Sequence, residues 1–245
     1  VTAAHPAPLE RVMATLPPGY VAIGSAREAR VAGGVVLASL APALRDVLAT
    51  GALYDSAAAH PARRTLHGRG PVYAVPLGGV SVVVRRVRHG GWLAPVTRDL
   101  FVPPTRAPHE LAVALRLRAA GVPTPEVVAY VLYRAAGCFR RVDVATREIP
   151  GGADLGARLA HSPTAPDRAA AWAATDELLA ALARAGAQHP DLNVKNVLIA
   201  GRPDGALAAY ALDVDRVRWR PPGDPAVLRA NRARLERSAR KRGLL

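Results

Sequence analysis

Pro71 to Pro76 and Val80 to Arg88 are two valine-rich apolar stretches, the second ending in arginines, with Leu77-Gly78-Gly79 between them. This predicts a hairpin of two strands around a glycine turn. Pro108 to Ala120 changes to helical spacing, with Glu110 in the first turn and Gly121 beyond the end. Pro123 and Pro125 punctuate a loop, and two further strands are expected over Glu126 to Tyr133 and Phe139 to Glu148.

Ile149-Pro150-Gly151-Gly152 interrupts this pattern, and the sequence after it is mainly helical. Asp154 to Ala160 predicts a short helix and Ala165 to Ala185 a long one stopped by Gly186. A loop follows, then strands over Val197 to Ala200 and Ala206 to Leu212, joined by a turn starting at Gly201. The fold class is therefore α+β and bilobal: a β-rich N-terminal lobe over residues 61–149 and a small helical C-terminal lobe over 150–245. Residues 1–60, rich in Ala and Pro with one helix expected around Ser39 to Ala49, read as an N-terminal extension. From Arg216 onward arginines dominate, and Leu228 and Leu235 stand seven apart. That spacing suits a basic terminal helix, read as solvated in preference to lipid-contacting.

Composition narrows the picture. The chain has 245 residues, half of them apolar, enough for a sizeable core. No apolar run approaches the ~20 residues of a membrane-crossing helix. The N-terminal residues lack the order of a secretory signal, so a cytoplasmic protein is expected. Cys138 is the only cysteine, which excludes an intramolecular disulfide and a cysteine metal cage; it reads as a small buried hydrophobe. The net charge is +14, and Lys195 and Lys241 are the only lysines. So large an arginine excess attracts anionic partners such as nucleotides, phosphorylated lipids, membranes or nucleic acid, without choosing among them.

The chemistry is concentrated in His189-Pro190-Asp191-Leu192-Asn193-Val194-Lys195-Asn196. Phosphoryl transfer needs a carboxylate to orient or deprotonate the acceptor hydroxyl, and oxygen ligands to hold magnesium on the phosphates. His-x-Asp-x4-Asn has the spacing of a kinase catalytic loop, with Asp191 as the base and Asn196 as a metal ligand. Asp213, after the second strand of the following hairpin, is the second metal ligand expected. Lys195 reads either as a point charge on the transferring phosphoryl group or as a solvated loop residue, and His189 as a brace for the loop. A cation on a strand of the N-terminal lobe, paired with a helix carboxylate, should hold the ATP phosphates. Arg85 is the candidate and Arg86 the alternative if the register shifts by one, with Glu110 as the partner. Gly68 and Gly70 are either a backbone approach to the phosphates or an ordinary turn.

Several segments together resemble the lipopolysaccharide kinase family, and within it the 3-deoxy-D-manno-octulosonic acid (Kdo) kinases. They are Gly68-Arg69-Gly70, Val83-Val84-Arg85 through Gly90-Gly91, His109-Glu110-Leu111, Gly121-Val122-Pro123, Glu148-Ile149-Pro150-Gly151 and His189 to Leu198. Asn193 distinguishes the catalytic loop from that of protein kinases, and Asp213-Val214-Asp215 stands where the family has Asp-Phe-Asp. The resemblance implies a protein-kinase-like fold, ATP and Mg2+ as cofactors, and a Kdo-bearing lipid A precursor as acceptor. It also implies a peripheral position at an anionic membrane surface, on the cytoplasmic face of the inner membrane. A heptose or other small-molecule kinase, and an inactive kinase-like module binding anionic lipid or nucleic acid, are the competing readings. Few aromatics are present for base stacking, so no specific nucleic acid is expected.

Overall fold

The computed structural model describes residues 16–24, 30–67, 70–88, 99–162 and 164–245. The chain divides into two compact units, residues 1–111 with 126–148, and residues 112–125 with 149–245.

The first unit is built on a seven-stranded antiparallel sheet. In chain order its strands are β1 (Tyr20–Ile23), β2 (Val31–Leu37), β3 (Arg64–His67), β4 (Pro71–Leu77), β5 (Val80–Arg86), β6 (Val127–Arg134) and β7 (Arg140–Arg147). Their order across the sheet is β1-β2-β6-β7-β5-β4-β3. Helices α1 (Ala41–Thr50) and α2 (Leu53–Ala59) contribute Leu44, Leu53, Tyr54 and Ala57 to the same core as Val82 and Val84 of β5. Successive side chains on a strand point to opposite faces, so Arg86 shares the face of Val82 and Val84, and Arg85 takes the other. Helix α3 (Ala107–Ala119) starts in this unit and continues into the second.

Two sequence expectations change here. Residues 20–23, 31–37 and 41–59 supply strands and helices of the sheet and its core, where the sequence suggested an extension. The reason is β2, whose reading is broken by Gly33-Gly34. A Cβ on Gly34 would stand 2.4 Å from the Tyr130 carbonyl oxygen of neighbouring β6, so glycine is required by close approach. The β2–β6 pairing also shifts register between Val31 and Gly33. Cys138 is the second case. It is exposed in the β6–β7 connection, because the strands end at Arg134 and resume at Arg140.

The second unit contains β8 (Ala153–Asp154), α4 (Leu155–Ala160), α5 (Ala165–Arg184), β9 (Ala187–Gln188), β10 (Val197–Gly201), β11 (Leu207–Ala211), β12 (Arg218–Trp219) and α6 (Pro225–Arg240). Side-chain oxygens cap the helices: Asp154 accepts from Ala157 N at 2.9 Å, Thr164 from Asp167 N at 3.2 Å and Asp224 from Ala226 N at 2.8 Å. The α5 helix stops where Gly186 adopts φ +68°; a Cβ there would lie 2.2 Å from the Arg220 carbonyl oxygen. Strands β10 and β11 form an antiparallel hairpin with β8 beside β10. The α5 helix lies against β11 and against α6.

The α6 helix departs from its sequence reading. Its buried positions are Val227, Asn231, Leu235 and Ala239, a spacing of four, whereas Leu228 is only partly covered. Of the Leu228/Leu235 pair only Leu235 is buried, and the helix packs on its own unit. No described helix is long and apolar enough to cross a membrane.

Candidate active site

In the first unit, the register sets Arg85 opposite Val144 and Arg86 opposite Asp143 on β7. Arg85 donates to the Glu110 carboxylate from the first turn of α3. Arg86 has another task. Its Nε donates to Asp143 Oδ1 at 2.9 Å, a second nitrogen lies 3.1 Å from Asp55 Oδ1, and the guanidinium sits 4.6 Å from the Tyr54 ring centroid. Asp143 is fully buried and also accepts from Tyr54 N at 3.0 Å. Burial pushes the Asp143 carboxyl above its ordinary value, opposed by the Arg86 charge beside it. Burial also works against the Arg86 charge, yet Asp143 and Asp55 hold that group above its ordinary value. Arg86 is thus committed to fastening α2 to the sheet, and Arg85 is the cation paired with a helix glutamate.

Gly70 precedes β4, where a Cβ would meet the Arg88 guanidinium at 3.1 Å. Gly68 lies outside the described residues. So do Gly90 and Gly91.

In the second unit, the 189–196 loop runs between β9 and β10 and is held by its own asparagines. Asn193 Nδ2 and Asn196 Nδ2 both donate to the Asp191 carbonyl oxygen at 2.9 Å, and Asn193 Oδ1 accepts from Lys195 N at 2.9 Å. Two side-chain amides on one carbonyl fix the backbone from which the Asp191 carboxylate projects. Leu192 and Val194, both fully buried, anchor the intervening turn. Lys195 is exposed, and its ammonium has no ion pair among the described residues.

His189 is 1% exposed, and its Nε2 stands 2.9 Å from the Leu212 carbonyl oxygen. A carbonyl can only accept, so Nε2 carries the proton and the ring ties the loop to the residue before Asp213. Leu212 N also donates to the Asn196 carbonyl at 2.9 Å, extending the β10–β11 ladder to the loop. Asn196 and Asp213 are therefore brought to the same end of that hairpin. Asp213 takes the left-handed conformation, φ 52° and ψ 49°, unusual for a residue with a side chain and often found where function constrains the backbone.

The sequence reading missed the contribution of α6. Asn231 Oδ1 accepts from His189 N at 2.9 Å, and its Nδ2 donates to the Ala187 carbonyl at 3.0 Å. Ser238 Oγ accepts from Val194 N at 3.3 Å. Arg234 lies 3.2 Å from Asp191 Oδ1. The available signal was the spacing of four from Val227 through Asn231 to Leu235, which a heptad reading of the leucines obscures.

A metal can be tested against these donors. Among the described residues no three His, Cys, Asp or Glu side chains form a metal cluster. Magnesium on a nucleotide uses one or two protein oxygens and fills its shell with phosphates and water, so a cage is not required. With Asn196 Nδ2 committed to Asp191, the amide oxygen is the group left for a cation, and Asp213 supplies an exposed carboxylate. The donor set fits.

The model of the Lipopolysaccharide kinase (Kdo/WaaP) family matches residues 60–244. This chain belongs to the lipopolysaccharide kinase family. Family membership makes it a kinase, a phosphotransferase. Among curated relatives, a 3-deoxy-D-manno-octulosonic acid kinase of Vibrio parahaemolyticus is 29% identical over 178 residues, 71% of each chain. One from Xanthomonas campestris is 32% identical over 187 residues, covering 71% of this chain and 68% of that one. A solved structure of WaaP in complex with acyl carrier protein matches with a TM-score of 0.48 at 18% identity, covering 80% of this chain and 78% of that one. Within the lipopolysaccharide kinase family's span lie Arg85, Glu110, Asp191, Asn196 and Asp213, whereas β1, β2 and α1 precede it.

Proposed function

We propose that this kinase transfers the γ-phosphoryl group of ATP to a sugar hydroxyl of a Kdo-bearing lipid A precursor. Asp191 accepts the proton of the attacking hydroxyl as the new oxygen–phosphorus bond forms and the bond to the β-phosphate oxygen breaks, releasing ADP. Asn196 and Asp213 hold Mg2+, which neutralises charge on the phosphates. Arg85, oriented by Glu110, binds the α- and β-phosphates. Its guanidinium is planar and larger than an ammonium, so it offers a bidentate contact in place of the usual point charge. Lys195 stabilises the transferring group from the loop.

The observation that carries this reading is the Asp191 loop itself: a carboxylate on a backbone clamped by two asparagines, joined through His189 to Leu212, the residue before Asp213. The acceptor class comes from the relatives' names. An anionic lipid surface at the cytoplasmic face of the inner membrane suits a chain of net charge +14. The test is transfer of labelled γ-phosphate from ATP with Mg2+ to Kdo-bearing lipid A precursor. Asp191→Asn should keep the fold and lower turnover roughly a hundredfold to ten-thousandfold. A variant that turns over like the wild type would remove Asp191 from the chemistry.

A further inference from the structure

Beside the catalytic loop the second unit has a groove of about 270 Å³. Gln188, His189 and Pro190 form one side, and Asn231, Arg234 and Arg237 of α6 line the other. Its volume is that of about nine water molecules, the scale of one sugar ring.

The charges in this groove are unbalanced. Arg234 and Arg237 stand three residues apart, neighbours on a helix surface. Two other arginines of α6 are paired elsewhere, Arg232 with Asp176 and Arg240 with Glu236. Arg237 has no ion pair among the described residues, and Arg234 meets only the Asp191 carboxylate, at 3.2 Å. That pair is half-exposed, so it is weak and exchangeable.

We propose that this groove is the subsite for the acidic group of the acceptor: Arg234 and Arg237 bind the carboxylate of a sugar acid, and that binding draws Arg234 off Asp191. The inference rests on the phosphotransferase reading above and names the residues that hold its acceptor. A carboxylate matches the fork of a guanidinium better than a neutral sugar does. The acceptor thereby takes one arginine away from the carboxylate that will deprotonate it.

Two experiments separate this from the activity itself. The first is calorimetric binding of free Kdo and of its carboxyl methyl ester, without nucleotide, to wild type, Arg234→Gln and Arg237→Gln, with melting curves as the folding control. The acid should bind wild type about tenfold to a hundredfold more tightly than the ester, and the variants should lose that preference. Arg237 is exposed, so its variant keeps the test valid if Arg234→Gln is misfolded. The second is kinetic. Arg234→Gln should raise the KM for the Kdo-bearing acceptor and leave the KM for ATP unchanged, while hydrolysing ATP faster than wild type when no acceptor is present. Removing phosphates from the lipid acceptor should leave the effect of Arg234→Gln intact; an effect that vanished with them would assign the groove to phosphate and overturn the carboxylate. Equal acid preference in wild type and both variants would also overturn the proposal, as would a fall in kcat at constant acceptor KM. Acid-selective binding without transfer would retain the subsite and discard the phosphotransferase reading. Transfer without acid selectivity would do the reverse.

Discussion

Arg85 and Arg86 are adjacent in sequence and opposite in consequence, because a strand sends neighbours to different faces. Replacing Arg86 with Met leaves Asp143 buried and without its cation, which costs roughly 3–5 kcal/mol. Denaturant unfolding should show that loss. Arg85→Met also leaves a carboxylate, Glu110 at 9% exposure, without its cation, but nearer the surface, so the expected result is a smaller loss of stability together with weakened ATP binding, read by nucleotide titration. The sequence reading left the choice between these two open because both are arginines at the end of one valine-rich stretch. What separates them is Asp143, which arrives from β7 nearly sixty residues later. The Asp191 loop was far more legible, since its motif lies within a span of eight and its two asparagines bond inside that span.

The elements differ in the same way. The β4–β5 hairpin, α3 and α5 follow from local period and from glycines that stop them, and the structure places them within a few residues of expectation. Strand β2 and helix α6 were obscured because each depends on a partner. The glycine at 34 is explained by the Tyr130 carbonyl, and Asn231, a polar residue on a buried stripe, by the two backbone groups it satisfies. Replacing Asn231 with Ala strands His189 N and the Ala187 carbonyl at roughly 1–3 kcal/mol each. Thermal melting should fall, and turnover should fall with it because the loop loses its brace. The β3–β5 edge offers a pH test. Arg64 donates to both Glu148 oxygens at 2.7 and 2.6 Å, and Ser81 to one at 2.5 Å. The Arg64 hydrogen bond holds the Glu148 carboxyl below its ordinary value, against a smaller effect of burial. A depressed acid stabilises the fold above its unfolded value and loses that contribution as pH falls through the folded one. The melting temperature should therefore drop on acidification through and below the usual glutamate range, and Glu148→Gln should flatten the drop.

At the scale of the whole molecule, charge was legible and its destination was not. A net charge of +14 predicts binding to vesicles of anionic lipid that weakens steeply with salt, measurable by co-sedimentation; binding to neutral vesicles of equal strength would remove electrostatics as the cause. The residues that hold the catalytic loop also impose an order on biosynthesis. Asn231 is 42 positions downstream of His189, and Ser238 is 44 downstream of Val194. A ribosome adding about 5–20 residues per second finishes the loop seconds before it supplies the side chains that steady it. During that interval the nascent chain carries residues 189–196 without their brace, so a chain stalled before Asn231 is expected to show no phosphotransferase activity.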